Sequence, residues 1–395
     1  MTIGKPGRAA RFFFSWFEFL WRWGFRILTY GLLLSIVFNW SWLSIQLFLA
    51  PPSSLVRKIG WLIVALILMQ IMASLIHELG HLLVGYWVGL RLHLFIIGPL
   101  QIINERGQLH FRVRRGLGIF NGLTASLPVS EENIRRKMLW FAFGGPLASL
   151  IMACASGGLF FWVVQNQNWY DRLAWPWELI LILGAFSFAT FLSTLRPGIY
   201  PNGFPTDGGR ILILLKNRER AVGWCAQVLL NKADMAGQRP STWESHLIEQ
   251  TTIEQEHSLD ALMGQLLAYY WALDRGDLSR AEQHLLAANR ERFYVSGGFK
   301  LKVMFECAYF YARFKQDLDE AEKWLAFVRR PHPQLRAQFY RAKTAVSLLN
   351  NNLNEAREYW ELAHQSYTAV EQKNGVWYAE MDWMEELREL ISGQD

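Results

Sequence analysis

The chain has 395 residues, of which 52% are hydrophobic, and it contains 19 Trp, 26 Phe and a formal charge of +6. This length leaves room for two or three domains, and the hydrophobic fraction exceeds that of ordinary soluble domains. Three widely separated cysteines exclude a disulfide framework and a cysteine-based metal site. The sequence has no basic stripe with interleaved aromatic residues, so no nucleic acid is expected as a partner.

Four apolar segments are each long enough to cross a bilayer as a helix: Ile27–Leu49, Ile59–Val84, Met138–Val164 and Trp177–Leu195. Lys and Arg cluster before the first segment and between the second and third, whereas the other two connections carry few basic residues. The positive-inside rule therefore predicts a multi-pass protein of the cell membrane with both termini in the cytoplasm. Trp residues flank the segments, which is typical of contact with membrane lipid at the interfaces.

The most informative motif is His-Glu-Leu-Gly-His at residues 77–81, near the end of the second apolar segment. On a helix His77 and His81 project from one face, so both imidazoles can bind a single Zn²⁺. Glu78 is adjacent and can act as the general base that takes a proton from a zinc-bound water. The pattern also occurs by chance, but ionisable side chains in an apolar helix are costly and indicate a function.

A third ligand is expected from Asp207, which follows a Pro- and Gly-rich break after the fourth apolar segment. The alternative is that Asp207 caps the apolar helix that begins there. Two imidazoles, one carboxylate and a water would leave zinc the open position that catalysis requires.

The segment Gly89–Val129 differs from the apolar segments on either side of it. It contains the alternating runs Leu92–Ile97 and Leu109–Val113, separated by turn residues, which predicts strands and a hairpin. The alternative is a solvated basic loop. An exposed sheet edge beside a protease site would offer pairing for an extended substrate backbone.

With HELGH at 77–81, FGGPLAS at 143–149 and FPTDGGRIL at 204–212, the chain resembles the site-2 protease family of intramembrane zinc metalloproteases. VGLRLHLFIIGPL at 88–100 is similar to the strand that follows the zinc helix in that family, and the resemblance covers roughly residues 55–216. It implies zinc bound by His77, His81 and Asp207, with Glu78 as the general base. It also implies cleavage of a transmembrane helix in a membrane-protein substrate that is commonly already trimmed outside the membrane.

The chain departs from the family pattern at two positions. Ile199 stands where the family usually has an Asn eight residues before the aspartate, and Ser149 stands where an Asn is common. Both departures concern how the substrate strand is held and leave the zinc chemistry intact.

The remaining sequence predicts a different kind of structure. Lys216–Ala233 is a basic, amphipathic helix candidate for the membrane surface, and Ala236–Thr242 is typical of a linker that few contacts cross. Three similar stretches follow at residues 276–288, 316–328 and 351–363, each preceded by an aromatic-rich helix. They are similar to degenerate tetratricopeptide repeats, which implies a protein or peptide partner on a concave face. The alternative is a plain helical bundle without a partner.

We therefore expect a mainly α protein: a polytopic membrane helix bundle of about four spans with a small membrane-associated β segment, then a soluble α-helical repeat domain. The expected units are an N-terminal anchor and first span (1–58), a zinc metalloprotease membrane core (59–216), an amphipathic segment and linker (217–242) and the repeat domain (243–395).

The expected function is intramembrane zinc endopeptidase activity on transmembrane segments of membrane proteins, with Glu78 as the general base. The alternative is a membrane scaffold with a non-catalytic zinc site, whose repeats bind partner proteins. Retention of Glu78 favours the enzyme, because a structural zinc site needs no base.

Overall fold

The computed structural model describes residues 52–105, 107–113, 122–166, 174–200, 203–253, 257–295, 298–326, 328, 331, 333–370 and 373–393. These residues form a mainly helical protein with one small antiparallel sheet. The predicted first span, Ile27–Leu49, lies outside them.

Three helices form the apolar half of the described chain: α1 (Pro52–Trp87), α2 (Ile134–Gln165) and α3 (Ala174–Leu195). Two stretches, Ile63–Trp87 and Ile134–Gln165, are long and apolar enough to cross a membrane. Few residues of either stretch are buried, and large apolar side chains such as Ile63 and Phe161 are exposed on them, unlike those of a helix in the core of a soluble protein. The apolar part of α3 that passes the same composition test, Leu179–Leu195, is shorter, so its crossing stays a prediction.

Small residues allow α1 and α2 to approach closely at the His-Glu-Leu-Gly-His motif. A Cβ atom on Gly80 would lie 2.4 Å from the Gly144 carbonyl oxygen and 2.5 Å from the Ala148 Cβ. Glycine on both helices brings their backbones together, as in packed membrane helices. The 77–81 and 143–149 motifs therefore face each other.

The segment between α1 and α2 forms a four-stranded antiparallel sheet of order β3-β2-β1-β4. Its strands are β1 (Leu90–Ile97), β2 (Leu100–Glu105), β3 (Gln108–Val113) and β4 (Gly122–Pro128). The two predicted runs are confirmed as β1 and β3, which excludes the solvated-loop alternative. β1 pairs with β2 on one side (Leu94 with Ile103) and with β4 on the other (Phe95 with Thr124), so β4 lies at one edge of the sheet that the described residues form.

Two short helices follow α3: α4 (Asp207–Lys216) and α5 (Arg218–Met235). Helix α5 confirms the helix predicted at Lys216–Ala233. Some of its buried residues pack against α2 and α4, and others pack against the helices that follow. After α6 (Ser245–Thr251) the chain forms helix pairs and a last helix: α7 (Leu259–Asp274), α8 (Leu278–Glu291), α9 (Gly298–Phe310), α10 (Leu318–Leu325), α11 (Arg336–Leu349), α12 (Leu353–Thr368) and α13 (Gly375–Ser392).

The three sequence repeats correspond to α8, α10 and α12, the second helices of three helix-turn-helix units. Each of these helices begins at an Asp or Asn whose side chain accepts a hydrogen bond from the backbone N–H three residues later, which stabilises the helix start. The aligned alanines of the repeats are completely buried, because only a small side chain fits where the paired helices meet: Ala281, Ala321 and Ala356.

The last helix, α13, covers the face that α7, α9 and α11 share. Trp383 of α13 stacks on Tyr270 of α7 and on Tyr309 of α9. Glu380 of α13 pairs with Arg341 of α11, whose guanidinium is completely buried. Helix α13 therefore packs across all three of these helices, and peptide docking on the repeats stays a prediction.

The predicted linker Ala236–Thr242 is packed against the helices that follow it. Pro240 is buried, and Arg239 pairs with Asp274 of α7 and with Asp382 of α13. The structure therefore differs from the expectation that few contacts cross this segment. Its turn-like composition could not show this, because the carboxylates that bind Arg239 lie 35 and 143 residues further along the chain.

Candidate metal centre

The structure brings His77, His81 and Asp207 together. The Nε2 atoms of His77 and His81 lie 3.3 Å apart. The Asp207 carboxylate places Oδ2 3.1 Å from the His77 Nε2 and Oδ1 3.5 Å from the His81 Nε2. One ligand atom from each residue therefore lies within 4.8 Å of the others, and this group could hold a metal ion. Both imidazoles are buried and the carboxylate is partly buried.

The start of α4 shows why Asp207 faces the histidines. The helix is capped by Thr206, whose side-chain oxygen accepts a hydrogen bond from the Gly209 N–H at 3.1 Å. Asp207 is the first helical residue, so the alternative in which it serves as the cap is excluded. A Cβ on Gly208 would lie 1.7 Å from the Leu195 carbonyl oxygen, so glycine allows α4 to begin directly against the end of α3.

Hydrogen bonds on the far side of each imidazole fix its orientation. The His77 Nδ1 lies 3.0 Å from the Ser149 Oγ, and the His81 Nδ1 lies 2.7 Å from the Phe141 carbonyl oxygen. Because a carbonyl only accepts, the His81 Nδ1 donates and its Nε2 carries the free lone pair that a metal needs. The Gly145 N–H also lies 3.3 Å from this Nδ1, but the carbonyl contact is much shorter and sets the tautomer.

Helix α2 leaves free the space next to the Nε2 atoms of His77 and His81. A Cβ on Gly145 would lie 2.3 Å from the His81 Nε2 and 2.7 Å from the His77 Nε2. Any residue larger than glycine would therefore enter the space where a metal would sit. Two imidazole nitrogens and one carboxylate oxygen, with room for a further ligand, suit a zinc-type ion.

Glu78 lies beside the three ligand residues and is held by the edge strand. Its side chain is buried, and its Oε2 accepts a hydrogen bond from the Thr124 hydroxyl at 2.6 Å. A Cβ on Gly122 would lie 2.5 Å from the Glu78 Oε1, so β4 passes directly over this carboxylate. Glu78 is therefore a buried carboxylate that is adjacent in sequence to His77 and outside the group that could hold a metal ion.

Sequence reasoning misses three groups that orient the site. Ser149 stands out in the sequence only as a departure from a family pattern, and the structure corrects the expectation that this departure leaves the metal chemistry unaffected, because Ser149 contacts His77. The contact from Phe141 is made by its backbone carbonyl, and a sequence motif of side chains cannot predict such a contact. Thr124 lies on a strand that lacks a clear alternation of apolar residues.

No family model matches this chain, and no curated protein or solved structure matches it either.

Proposed function

We propose that this protein is an intramembrane zinc endopeptidase of the site-2 protease type, which hydrolyses peptide bonds in or near transmembrane segments of membrane proteins. The observation that carries the proposal is the convergence of His77, His81 and Asp207, with Glu78 next to them on an apolar helix. When bound, Zn²⁺ supplies Lewis-acid polarisation of the scissile carbonyl and lowers the pKa of a water molecule.

Each residue of the centre has a distinct role in this proposal. The two imidazoles and the Asp207 carboxylate hold the ion, and Ser149 orients the His77 ring. Glu78 accepts the proton of the attacking water and passes it to the leaving amine. The Thr124 hydroxyl orients the Glu78 carboxylate, because it donates to one of the two carboxylate oxygens and leaves the other for the proton.

The helix that carries the histidines supports a reaction at the membrane. His77 and His81 lie in the C-terminal half of Ile63–Trp87, one of the two helices of membrane-crossing length. Large apolar side chains on this helix, such as Leu68 and Leu83, are exposed and favour lipid as their surroundings. The chain would then be a multi-pass protein whose peptide substrate reaches the site from the lipid phase.

The edge strand supports a way to hold that substrate. β4 pairs with β1 on one side, and its other side is the free edge of the described sheet. An extended substrate could add to this edge by main-chain hydrogen bonds. Because Thr124 of β4 contacts Glu78, a strand added there would place its backbone close to the base.

The membrane-scaffold alternative has less support. It needs an accessible docking face on the repeats, and α13 covers the face shared by α7, α9 and α11. It also gives no reason for a buried carboxylate held beside a metal centre but outside its ligands.

The test is cleavage of a helix-destabilised model transmembrane peptide by the full-length protein in proteoliposomes. Wild type should cleave the peptide, and Glu78→Gln should retain zinc while losing about 10²–10⁴-fold in rate, because an amide cannot accept the proton. Glu131→Gln, an exposed carboxylate before α2, is the matched control and should cleave like wild type. Cleavage by Glu78→Gln at the wild-type rate would refute the mechanism.

A further inference from the structure

A buried ion pair joins the helix that carries Asp207 to the first repeat helix. Arg210 lies three residues after Asp207 on α4. Its Nη1 and Nη2 donate to the two carboxylate oxygens of Asp260 on α7, at 2.7 and 3.0 Å. The two side chains are only 10% and 9% exposed, so water has little access to the ion pair. A two-point contact of this kind fixes orientation as well as distance.

Neighbouring groups hold both partners of this pair in place. The Arg210 guanidinium lies 3.9 Å from the centre of the Trp224 ring on α5. The Gln227 side chain, also on α5, donates to the Asp260 carbonyl oxygen at 2.7 Å. Helices α4, α5 and α7 therefore meet at a single rigid junction, a short distance along α4 from the metal ligand.

The loop before Asp207 is held by the same part of the repeat domain. The Tyr200 N–H in this loop donates to the Phe204 carbonyl oxygen at 2.7 Å. Gly203 occupies the left-handed region (φ +92°), and a Cβ there would lie 3.2 Å from the Leu259 side chain at the start of α7. The Phe204 ring packs edge to face on Phe299 of α9. Contacts with the repeats therefore lie on both sides of Asp207.

We propose that Asp260 is a positioning residue for the metal centre and that the repeat domain completes this centre. Through Arg210, Asp260 fixes the rotation and depth of α4, and thereby the position of the Asp207 carboxylate relative to the two imidazoles. The inference rests on the metal centre of the proposed function, but it does not depend on which peptide is cleaved.

The competing explanation is that the pair only stabilises the fold, since breaking any buried ion pair is destabilising. Metal affinity separates the two explanations. A purely stabilising pair leaves the affinity of folded protein for zinc unchanged, whereas a positioning pair weakens it and alters the metal coordination.

The test compares Asp260→Asn with Asp274→Asn in the full-length protein. Asp274 lies at the other end of the same helix and forms a similar two-point pair with Arg239, away from α4. Zinc dissociation constants are measured by competition with a chelator, and Co²⁺ absorption spectra report the coordination geometry. We expect Asp260→Asn to weaken zinc binding about tenfold, as for loss of an outer-shell partner, and to change the Co²⁺ spectrum. Asp274→Asn should match wild type in both.

A double variant, Arg210→Met with Asp260→Asn, removes both charges so that neither stays buried without a partner. It should bind zinc as weakly as Asp260→Asn alone, because the two residues act as one contact. Equal zinc affinity in wild type and both Asp260 variants would overturn this inference and leave the zinc centre standing. An equal loss in Asp274→Asn would also overturn it, because general destabilisation would then explain the effect. A wild-type protein that binds no zinc would overturn the metal centre itself.

Discussion

Gly145 provides a direct test of the geometry of the metal centre, because its missing side chain leaves room beside both imidazoles. In Gly145→Ala the new Cβ would lie 2.3 Å from the His81 Nε2 and 2.7 Å from the His77 Nε2. Ordinary contact between such atoms begins at about 3.5 Å. The imidazoles or α2 must therefore shift by about 1 Å to accommodate one methyl group.

A shift of this size is large for a metal site, where ligand distances are held to about ±0.2 Å. Loss of a single outer-shell partner already weakens metal binding about 10–100-fold. Because the methyl group displaces ligand atoms themselves, we expect Gly145→Ala to weaken zinc binding by about 100-fold, the upper end of that range.

The assay is zinc affinity by chelator competition, with thermal unfolding measured on the same samples. Gly157→Ala, on the same helix, is the control because no atom lies within 4 Å of its added Cβ. It should keep wild-type affinity and gain about 0.5–1 kcal/mol of helix stability. Wild-type zinc affinity in Gly145→Ala would show that the two imidazoles do not converge beside α2 as described.

Three further predictions concern groups around the centre and the environment of α2. Ser149→Ala removes the contact to the His77 Nδ1 and should weaken zinc binding by about tenfold or more. Ser156 is buried on the same helix but distant from the histidines, so Ser156→Ala should bind zinc like wild type. Equal zinc affinity in wild type and both variants would contradict the role of Ser149. Thr124→Val should lower peptide turnover about tenfold, because it removes a hydrogen bond to the Glu78 carboxylate, and should leave the zinc content unchanged. Thr124→Ser keeps the hydroxyl and should turn over the peptide like wild type. Wild-type turnover in Thr124→Val would refute the role of the hydroxyl. A charged maleimide applied to native membranes should label no cysteine among Cys154, Cys225 and Cys307. Cys154 would be shielded by lipid, while burial raises the pKa of the Cys225 thiol to about 11 and that of Cys307 well above its usual value, so both stay protonated at neutral pH. Labelling of Cys154 would place α2 in water.

The residues of the candidate metal centre can be predicted from the sequence because their spacing and residue types are local features. Histidines four residues apart on a helix must share a face, so the spacing alone places His77 and His81 together. The role of Asp207 is predicted less directly, because it lies 130 residues from His77 in the sequence and only the packing of α3 and α4 brings the two together. A carboxylate at a glycine-rich helix start indicates a ligand or a cap, and only the structure shows that Thr206 takes the role of the cap.

The contacts that support the site could not be predicted, because they depend on how distant segments meet. Nothing in the sequence around Asp260 links it to Arg210, fifty residues earlier. Two alternating runs predict the sheet, but they do not reveal β4, since its Gly-Leu-Thr-Ala-Ser-Leu-Pro sequence mixes small, polar and apolar residues. The aromatic residues of the repeats predict helix pairs, but not that Trp383 of α13 lies across them.

X-ray absorption at the zinc edge of the purified full-length protein tests the central claim most directly. We predict about one zinc per chain, with two imidazole nitrogens at about 2.0–2.1 Å and the remaining ligands oxygen, and largely lost occupancy in His77→Ala or His81→Ala. Asp207→Ala should keep the imidazole signal but bind zinc more weakly. Zinc content and affinity unchanged in Asp207→Ala, or a zinc signal without imidazole scattering, would contradict a centre formed by His77, His81 and Asp207.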